Sequence, residues 1–292
     1  MQPYILAIGE LLIDGISTES IDNLSQAKTF DIHIGGSAAN FSIFLNRSNV
    51  TTKLVASIGA DSFGNRILHE LSKENNVTEF VYQQSGHATS LIMVAKTKGT
   101  PDFIPYRDAD KLIQPVDSTL LNNAVIVHST AFALSQQPAQ DSILKAFEKA
   151  AQQHIPISID WNYSEKIWGR NNDAREIFQR LQSCQPMLKF SLDDINRFVG
   201  KPMSIENAKA YLQTIQATAI CLTCGSEGVF YKTYKSGWGH IPAQKNILVK
   251  DATGAGDAFW AGFITGWQRN YDMDKCVSNG VETASKKLQG ML

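Results

Sequence analysis

The chain has 292 residues, 43% of them hydrophobic, which is enough for one large domain with a sizeable core. Its 27 Lys and Arg balance 28 Asp and Glu, with a pI near 6.6, and that excludes a broad nucleic-acid-binding or anionic-membrane-binding surface. No apolar run approaches membrane-spanning length and Met1-Gln-Pro-Tyr4 has no basic leader, so a cytoplasmic protein is expected, and the Asn-x-Ser/Thr triplets at Asn46, Asn49 and Asn76 carry no meaning without secretion.

From the N-terminus, a strand is expected over Ile5–Gly9, followed by Ile13–Ile34 with short alternating runs such as Thr29–Ile34. A helix over Ala38–Arg47, a strand over Lys53–Ile58 and a helix over Phe63–Asn75 come next. Gly86–Tyr106 again carries short alternation, as in Ser90–Ala95. Beyond it, strands over Ala124–His128, Ile155–Asp160, Met187–Phe190 and Ala219–Thr223 alternate with helices over Gln140–Gln153, Ala174–Ser183 and Ile205–Gln216. Two helices, Ala258–Gln268 and Cys276–Lys287, close the chain. This β-α alternation predicts an α/β fold with a doubly wound, mostly parallel sheet, whose ligands sit at the carboxyl ends of the strands. The two alternating segments, about 13–34 and 86–106, read as a small antiparallel β lid on a single domain spanning 1–292.

The four cysteines include Cys221-Leu-Thr-Cys224. That pair lies in a strand, where residues i and i+3 point to opposite faces, so a core role is expected for it and not a metal or redox site. No Walker A sequence, no HExxH and no Cys/His cluster is present, which argues against a P-loop NTPase and a zinc site. His33 in a lid strand and His128 at a strand end are expected in surface or core roles.

The most specific local pattern is Asp251-Ala-Thr-Gly-Ala-Gly-Asp257, running into Ala-Phe-Trp-Ala-Gly-Phe263. A glycine turn opening a helix offers unpaired amides and partial positive charge to an anion, and Asp257 in the same turn could take a proton from an acceptor group. On these residues alone a capped buried helix is an equally good reading.

This stretch resembles the C-terminal signature of the ribokinase-like (PfkB) carbohydrate kinases. Gly35-Gly-Ser-Ala-Ala-Asn40, with Gly59-Ala-Asp-Ser-Phe-Gly64 after it, resembles their N-terminal signature. Both stand in the right order, and the resemblance covers essentially the whole chain. It implies an ATP-dependent sugar kinase, a ribokinase-like fold whose lid covers the sugar, ATP and Mg²⁺ as cosubstrate and metal, Asp257 as the base, and backbone amides of Gly254, Ala255 and Gly256 on the transferred phosphate.

Asp14 follows the first strand and Asn40 follows Gly35-Gly36. The resemblance implies that Asp14 and Asn40 grip the sugar while Gly35 and Gly36 let backbone approach it. On the residues alone, a turn Asp and a cap Asn remain open. Tyr106-Arg-Asp-Ala-Asp110 and Asp160-Trp-Asn162 resemble fructokinase-like and ketodeoxygluconate-kinase-like members, which implies that Arg107, Asp160 and Asn162 face the sugar. A solvated charged turn is the equal alternative for Arg107, and Ser164 departs from the subgroup's arginine.

On the nucleotide side, Lys189-Phe-Ser191-Leu-Asp-Asp194 stands in place of the family's Asn-x-x-Glu, so Lys189 and Ser191 are implied near the phosphates and Asp194 near Mg²⁺ through water. Thr223, Gly225 and Gly228 resemble the nucleotide-side turn, and Asn279 falls where the family contacts adenine. Asp251, with Ser285 as partner, is implied in a monovalent-cation (K⁺) site built mainly from backbone oxygens. Ala252 departs from the family's usual threonine. The expected acceptor is a hexose such as fructose or a sugar acid such as ketodeoxygluconate. Other readings are a catalytically degenerate sugar-binding member and a ribokinase or nucleoside kinase. An NAD-dependent dehydrogenase would need GxGxxG after the first strand, which is absent. The free edge and second face of the lid predict a homodimer through Phe30–Ile34 or Leu91–Ala95.

Overall fold

The computed structural model describes residues 2–74, 78–97, 102–170 and 172–292. Asn76 and Val77 of one triplet, Asn75 at the end of an expected helix and residues 98–101 of the second lid segment lie outside them. In chain order the strands are β1 (Tyr4–Ile8), β2 (Leu12–Ser20), β3 (Phe30–Gly35), β4 (Thr52–Gly59), β5 (Phe80–Gln84), β6 (Leu91–Lys96), β7 (Phe103–Tyr106), β8 (Ala124–Thr130), β9 (Ile157–Asp160), β10 (Met187–Ser191), β11 (Ala219–Thr223), β12 (Val229–Thr233) and β13 (Gly239–Ile241). The helices are α1 (Ser37–Arg47), α2 (Ser62–Leu71), α3 (Ala139–Gln152), α4 (Glu165–Trp168), α5 (Ala174–Gln182), α6 (Leu192–Val199), α7 (Ile205–Gln213), α8 (Ala255–Gln268) and α9 (Met273–Leu288).

Nine strands form one sheet in the order β13-β12-β11-β10-β9-β8-β1-β4-β5, parallel from β11 to β5. Successive residues of its central strands enter different cores. Leu6 and Ile8 pack on one face with α3, α5 and α6, whereas Ile5 and Ala7 pack on the other with α1, α8 and α9. Leu188 and Met187 divide the same way, as do Cys224 and Cys221, so the CxxC pair straddles the sheet as its strand setting requires. β12 and β13 add antiparallel at one end. These two and β5 have no expected counterpart: β5 and β13 are half-exposed edge strands without the continuous apolar run that marks a buried one, and β12, interior and mostly buried, has only Val229-Phe-Tyr231 before Lys232 and Thr233.

The lid is a four-stranded sheet, β3-β2-β6-β7. Its outer pairs, β2–β3 and β6–β7, are antiparallel, and its inner pair β2–β6 is parallel. The parallel pair follows from the connections. β2 follows β1 and β6 follows β5, and β1 and β5 run the same way in the main sheet.

One serine ties four elements beneath the strand ends. Trp260 of α8 donates from Nε1 to Ser158 Oγ at 2.9 Å, and His128 Nδ1 lies 2.9 Å from the same oxygen. Phe41 of α1 stacks on the His128 ring at 3.8 Å, and burial holds the His128 pKa down to about 3, so the imidazole is neutral. Ser158→Ala is expected to destabilise the protein by about 1–3 kcal/mol, because two buried ring nitrogens lose their partner. Urea denaturation checks this, and an unchanged midpoint would remove Ser158 from that role.

Candidate active site

The parallel strands end together, and Glu10, Thr130, Asp160, Ser191 and Thr223 all stand at or just beyond those ends. Two helices begin over this edge. α1 starts at Ser37, and α8 starts at Ala255 behind Gly254, whose φ of +74° is open to glycine at little cost. The two starts are joined: Asn40 Nδ2 donates to Asp257 Oδ2 at 2.9 Å. The Ala255 amide is engaged with the Ala252 carbonyl at 3.2 Å, so the turn presents the Gly256 and Asp257 amides, which the helix itself cannot pair.

A cavity of about 330 Å³ lies between these helix starts and the lid. Glu10, Asp14, Asn40, Asn162 and Asp257 make its polar side, and Leu12, Ile92, Val94 and Phe103 of the lid make an apolar one. Gly35 makes room for Asp14, since a Cβ there would lie 2.1 Å from Asp14 Oδ2. Burial, with the Asp257 charge added, pushes the Asp14 carboxyl up to about 7. Burial also pushes Glu10 up to about 7, although Oε1 accepts from the Ser37 amide at 2.9 Å and Oε2 from the Thr130 hydroxyl at 2.6 Å. Asp257 is raised by burial, opposed first by the Lys189 charge and then by Asn40, Ser37 and Lys287.

A second, mostly apolar cavity of about 190 Å³ lies between the Thr223–Gly228 turn and α8 and α9. Thr223, Gly225 and Gly228 line it, with Val229, Phe259 and Val281. The two cavities meet at Gly256, which lines both. Lys189 stands at that junction: a Cβ on Gly256 would lie 2.9 Å from its Nζ. Burial alone would lower the Lys189 pKa, but Asp160, Asp194 and Asp257 raise it, so the ammonium is retained.

Other expected residues are placed differently. Asp160 does not line the cavity. Both its oxygens lie 2.9 Å from Lys189 Nζ, so it holds the lysine. Arg107 is buried behind Phe132, its guanidinium 4.1 Å over that ring, with Nε and Nη2 donating to Asp110 Oδ2 at 2.9 and 2.6 Å. Asn162 lines the cavity, but its Oδ1 accepts from the Phe132 amide and its Nδ2 donates to Ser37 Oγ, both at 3.0 Å. Ser191 and Asp194 cap α6 reciprocally, at 3.0 and 2.9 Å, and Asp194 Oδ1 also meets Arg197 at 3.1 Å while the residue lines the larger cavity. Asn279 donates to the Gly262 carbonyl at 2.6 Å between α8 and α9 and does not line the smaller cavity.

The two side chains expected at the K⁺ site, Asp251 and Ser285, are already engaged. Asp251 Oδ2 lies 2.7 Å from the Lys287 ammonium, Oδ1 accepts from the Thr253 amide at 2.9 Å, and the Ser285 hydroxyl donates to the Val281 carbonyl at 2.8 Å. A metal cation against Asp251 would have to displace that ammonium. Asp194, which lines the larger cavity, would meet Mg²⁺ only through water, since its Oδ2 accepts from the Ser191 amide and its Oδ1 from Arg197. Among the described residues no group of three or more His, Cys, Asp or Glu is placed to hold a metal alone, and no helix is long and apolar enough to cross a membrane.

Glu10, Ser37, Phe132 and Lys287 enter the site without a sequence expectation. Ser37 lies inside the Gly35–Asn40 stretch and Glu10 directly follows a strand at its carboxyl end, whereas nothing local marks Phe132 or Lys287.

The model of the pfkB family of carbohydrate kinases matches residues 2–291, and the chain belongs to that family. It is 31% identical to an ATP-dependent 6-phosphofructokinase of Thermoanaerobacterium thermosaccharolyticum over 98% of this chain and 88% of the relative. The fructokinase structure of Halothermothrix orenii superposes with a TM-score of 0.85 at 33% identity, covering 96% of this chain and 98% of that one. An uncharacterized sugar kinase of Pyrococcus horikoshii in complex with ATP superposes at 0.83 with 26% identity, covering 98% and 92%. The expected ribokinase-like fold and sugar-kinase activity therefore stand.

The raised carboxyls have a consequence for stability. A Glu10 pKa near 7, above the ordinary carboxylate value near 4, means the folded state keeps a proton that the unfolded chain releases, and this contribution is lost as pH rises through 7. His128, held down, acts oppositely below about pH 6.5, so the test isolates Glu10. Glu10→Gln is expected to gain stability relative to the natural protein on going from pH 5 to pH 8, by about 2 kcal/mol. Equal differences at both pH values, by calorimetry, would contradict a raised Glu10.

Proposed function

We propose that this carbohydrate kinase transfers the γ-phosphate of ATP to a primary hydroxyl of a neutral ketohexose such as fructose, with the whole chain acting as one kinase domain under its lid. The observation that carries this reading is the meeting of the two cavities at Gly256, with Asp257 beside it. The apolar smaller cavity suits an adenine base, with Thr223, Gly225 and Gly228 beside the nucleotide. The larger cavity suits a polyol: Asp14 and Asn40 accept and donate to hydroxyls, and Glu10 adds a third polar wall.

The acidic wall selects against a sugar acid, whose carboxylate would face Glu10, Asp14 and Asp257. Arg107, the expected carboxylate partner, already serves Asp110. A second reading, a phosphorylated ketohexose, is favoured by a neighbouring cavity of about 610 Å³ that shares Phe103, Ser164 and Arg197 with the first and adds Lys166 and Lys201. Two of those three cations are already balanced, Lys166 by Asp102 and Arg197 by Asp194, so the neutral sugar is the better fit.

In the proposed reaction Asp257 accepts the proton of the attacking hydroxyl. A pKa raised by burial brings this carboxylate closer to working pH than an exposed one. The new O–P bond forms in line as the bond to the leaving ADP oxygen breaks. Lys189 and the Gly256 and Asp257 amides stabilise charge on the transferred group, and the apolar lid keeps water from competing. Asp194 would hold Mg²⁺ through water. Mg²⁺, when bound, neutralises phosphate charge. Ser164, Ser191 and Ala252 leave this arrangement intact, which disfavours a degenerate protein.

Asp257→Asn is expected to lower kcat by about 10²–10⁴-fold with sugar affinity little changed. A variant keeping more than about a tenth of the natural rate would remove Asp257 from the role of base. An ADP-release assay over fructose, fructose 6-phosphate, ketodeoxygluconate and ribose tests the acceptor. Fructose should give the highest kcat/KM, and preference for either anionic sugar would overturn the neutral assignment.

We further propose a homodimer through the lid. β3 and β7 are the edges of that sheet, whereas Leu91–Ala95 of β6 is interior, so Phe30–Ile34 is the better-placed segment. Light scattering should give twice the 32.2 kDa chain mass, and an active monomer would contradict it.

A further inference from the structure

The glycine turn is flanked by two ammonium groups, and the proposed mechanism uses one. Lys189 comes from the sheet and meets the turn at Gly256. Lys287 comes from the last turn of α9 and meets it at Gly254, its Cε 3.7 Å from where a Cβ on that residue would lie. The Lys287 side chain is 19% exposed, against 49% for its neighbour Lys286, which turns outward to Glu282. Its ammonium is held 2.7 Å from Asp251 Oδ2.

The loop carrying Asp251 is itself fixed to the end of α9: the Lys250 and Asp251 amides donate to the Leu288 carbonyl at 2.8 and 3.5 Å. The end of a helix favours a cation, and Asp251 compensates it. The charge of Lys287 also reaches Asp257 and favours its ionised form. The other charged groups coupled to Asp257 are Lys189 from β10, Asp160 from β9 and Asp14 from β2, and Glu10, Asp194 and Arg197 line the same cavity. Lys287 is the one cation among them that stands on the Gly254 side of the turn.

We propose that the Lys287 ammonium is a built-in cation of the phosphate-transfer turn, standing where a monovalent metal ion would otherwise be held, so that this kinase turns over without potassium. The inference rests on the reading that this turn handles the transferred phosphate. It accounts for how the two side chains are engaged: one Asp251 carboxylate oxygen holds the ammonium, the other the Thr253 amide, and the Ser285 hydroxyl donates back to its own helix. A second cation at Asp251 would meet like charge at close range.

The test is a salt series. The natural protein, desalted into tetramethylammonium chloride, should keep kcat within about twofold of its value in KCl or NaCl at equal ionic strength. Lys287→Met, which keeps an apolar stem and removes the charge, should lose about 10- to 100-fold in kcat, and KCl or NH₄Cl should restore part of it. Lys287→Arg should stay independent of potassium. A natural protein that needs potassium overturns the inference whatever the variants do, and so does a Lys287→Met protein with the natural kcat in tetramethylammonium. Asp257→Asn, assayed alongside, separates the two claims: an active Asp257→Asn removes the underlying reading, whereas an inactive one with a potassium-dependent natural protein removes this inference alone.

Discussion

The hydrogen bond from Asn40 to Asp257 joins residues 217 positions apart and sets the geometry of the site. It locks the start of α1 to the start of α8 over the strand ends, so that the lid-side cavity, the apolar cavity and the glycine turn share one junction. Asp257 is 8% exposed, and a carboxylate so buried is held only because donors and cations surround it. Asn40, Lys189 and Lys287 do so from three different elements, and the packing beneath them keeps those elements in register. Trp260 and His128 meeting at Ser158 place α8 against the sheet just below its first turn.

Charge is the second constraint. Glu10, Asp14, Asp160, Asp194 and Asp257 crowd one edge of the sheet in a protein with a net charge of −1. Each is paired, shifted upward or both: Glu10 and Asp14 are shifted, and Asp160 is paired with Lys189 and still raised by burial. Such a cavity attracts hydroxyl donors and repels anionic acceptors, and this is the physical ground for preferring a neutral sugar. At the junction itself the balance reverses: two ammoniums and two unpaired amides face the place where phosphate charge would develop.

Much of this was legible in the chain. The Gly254–Asp257 turn is local, and so is the Gly35–Asn40 stretch, so both could be recognised from neighbouring residues. The buried parallel strands announce themselves by continuous apolar runs, and the edge strands β5 and β13 and the short antiparallel β12 do not. Pairings across the fold were hidden. Arg107 has Asp110 three residues away, yet whether it faces the cavity or turns behind Phe132 depends on β8. Asn279 looks like a base contact until α8 brings the Gly262 carbonyl beside it. Lys287 lies 36 residues from Asp251, and only the packing of α9 against the loop brings the two together. Glu10 reads as an ordinary strand-end acid, and its burial follows from α1 and β8 closing over it.

The acceptor and the phosphate donor are proposed to meet at one place, the junction at Gly256 beside Asp257. A crystal structure of the protein with fructose and a non-hydrolysable ATP analogue tests it most directly. The sugar is expected between Asp14 and Asn40, with one primary hydroxyl in hydrogen-bonding contact with the Asp257 carboxylate and the γ-phosphate of the analogue against the Gly256 amide and Lys189. A sugar bound away from Asp257, or a nucleotide whose terminal phosphate lies outside that junction, would contradict it.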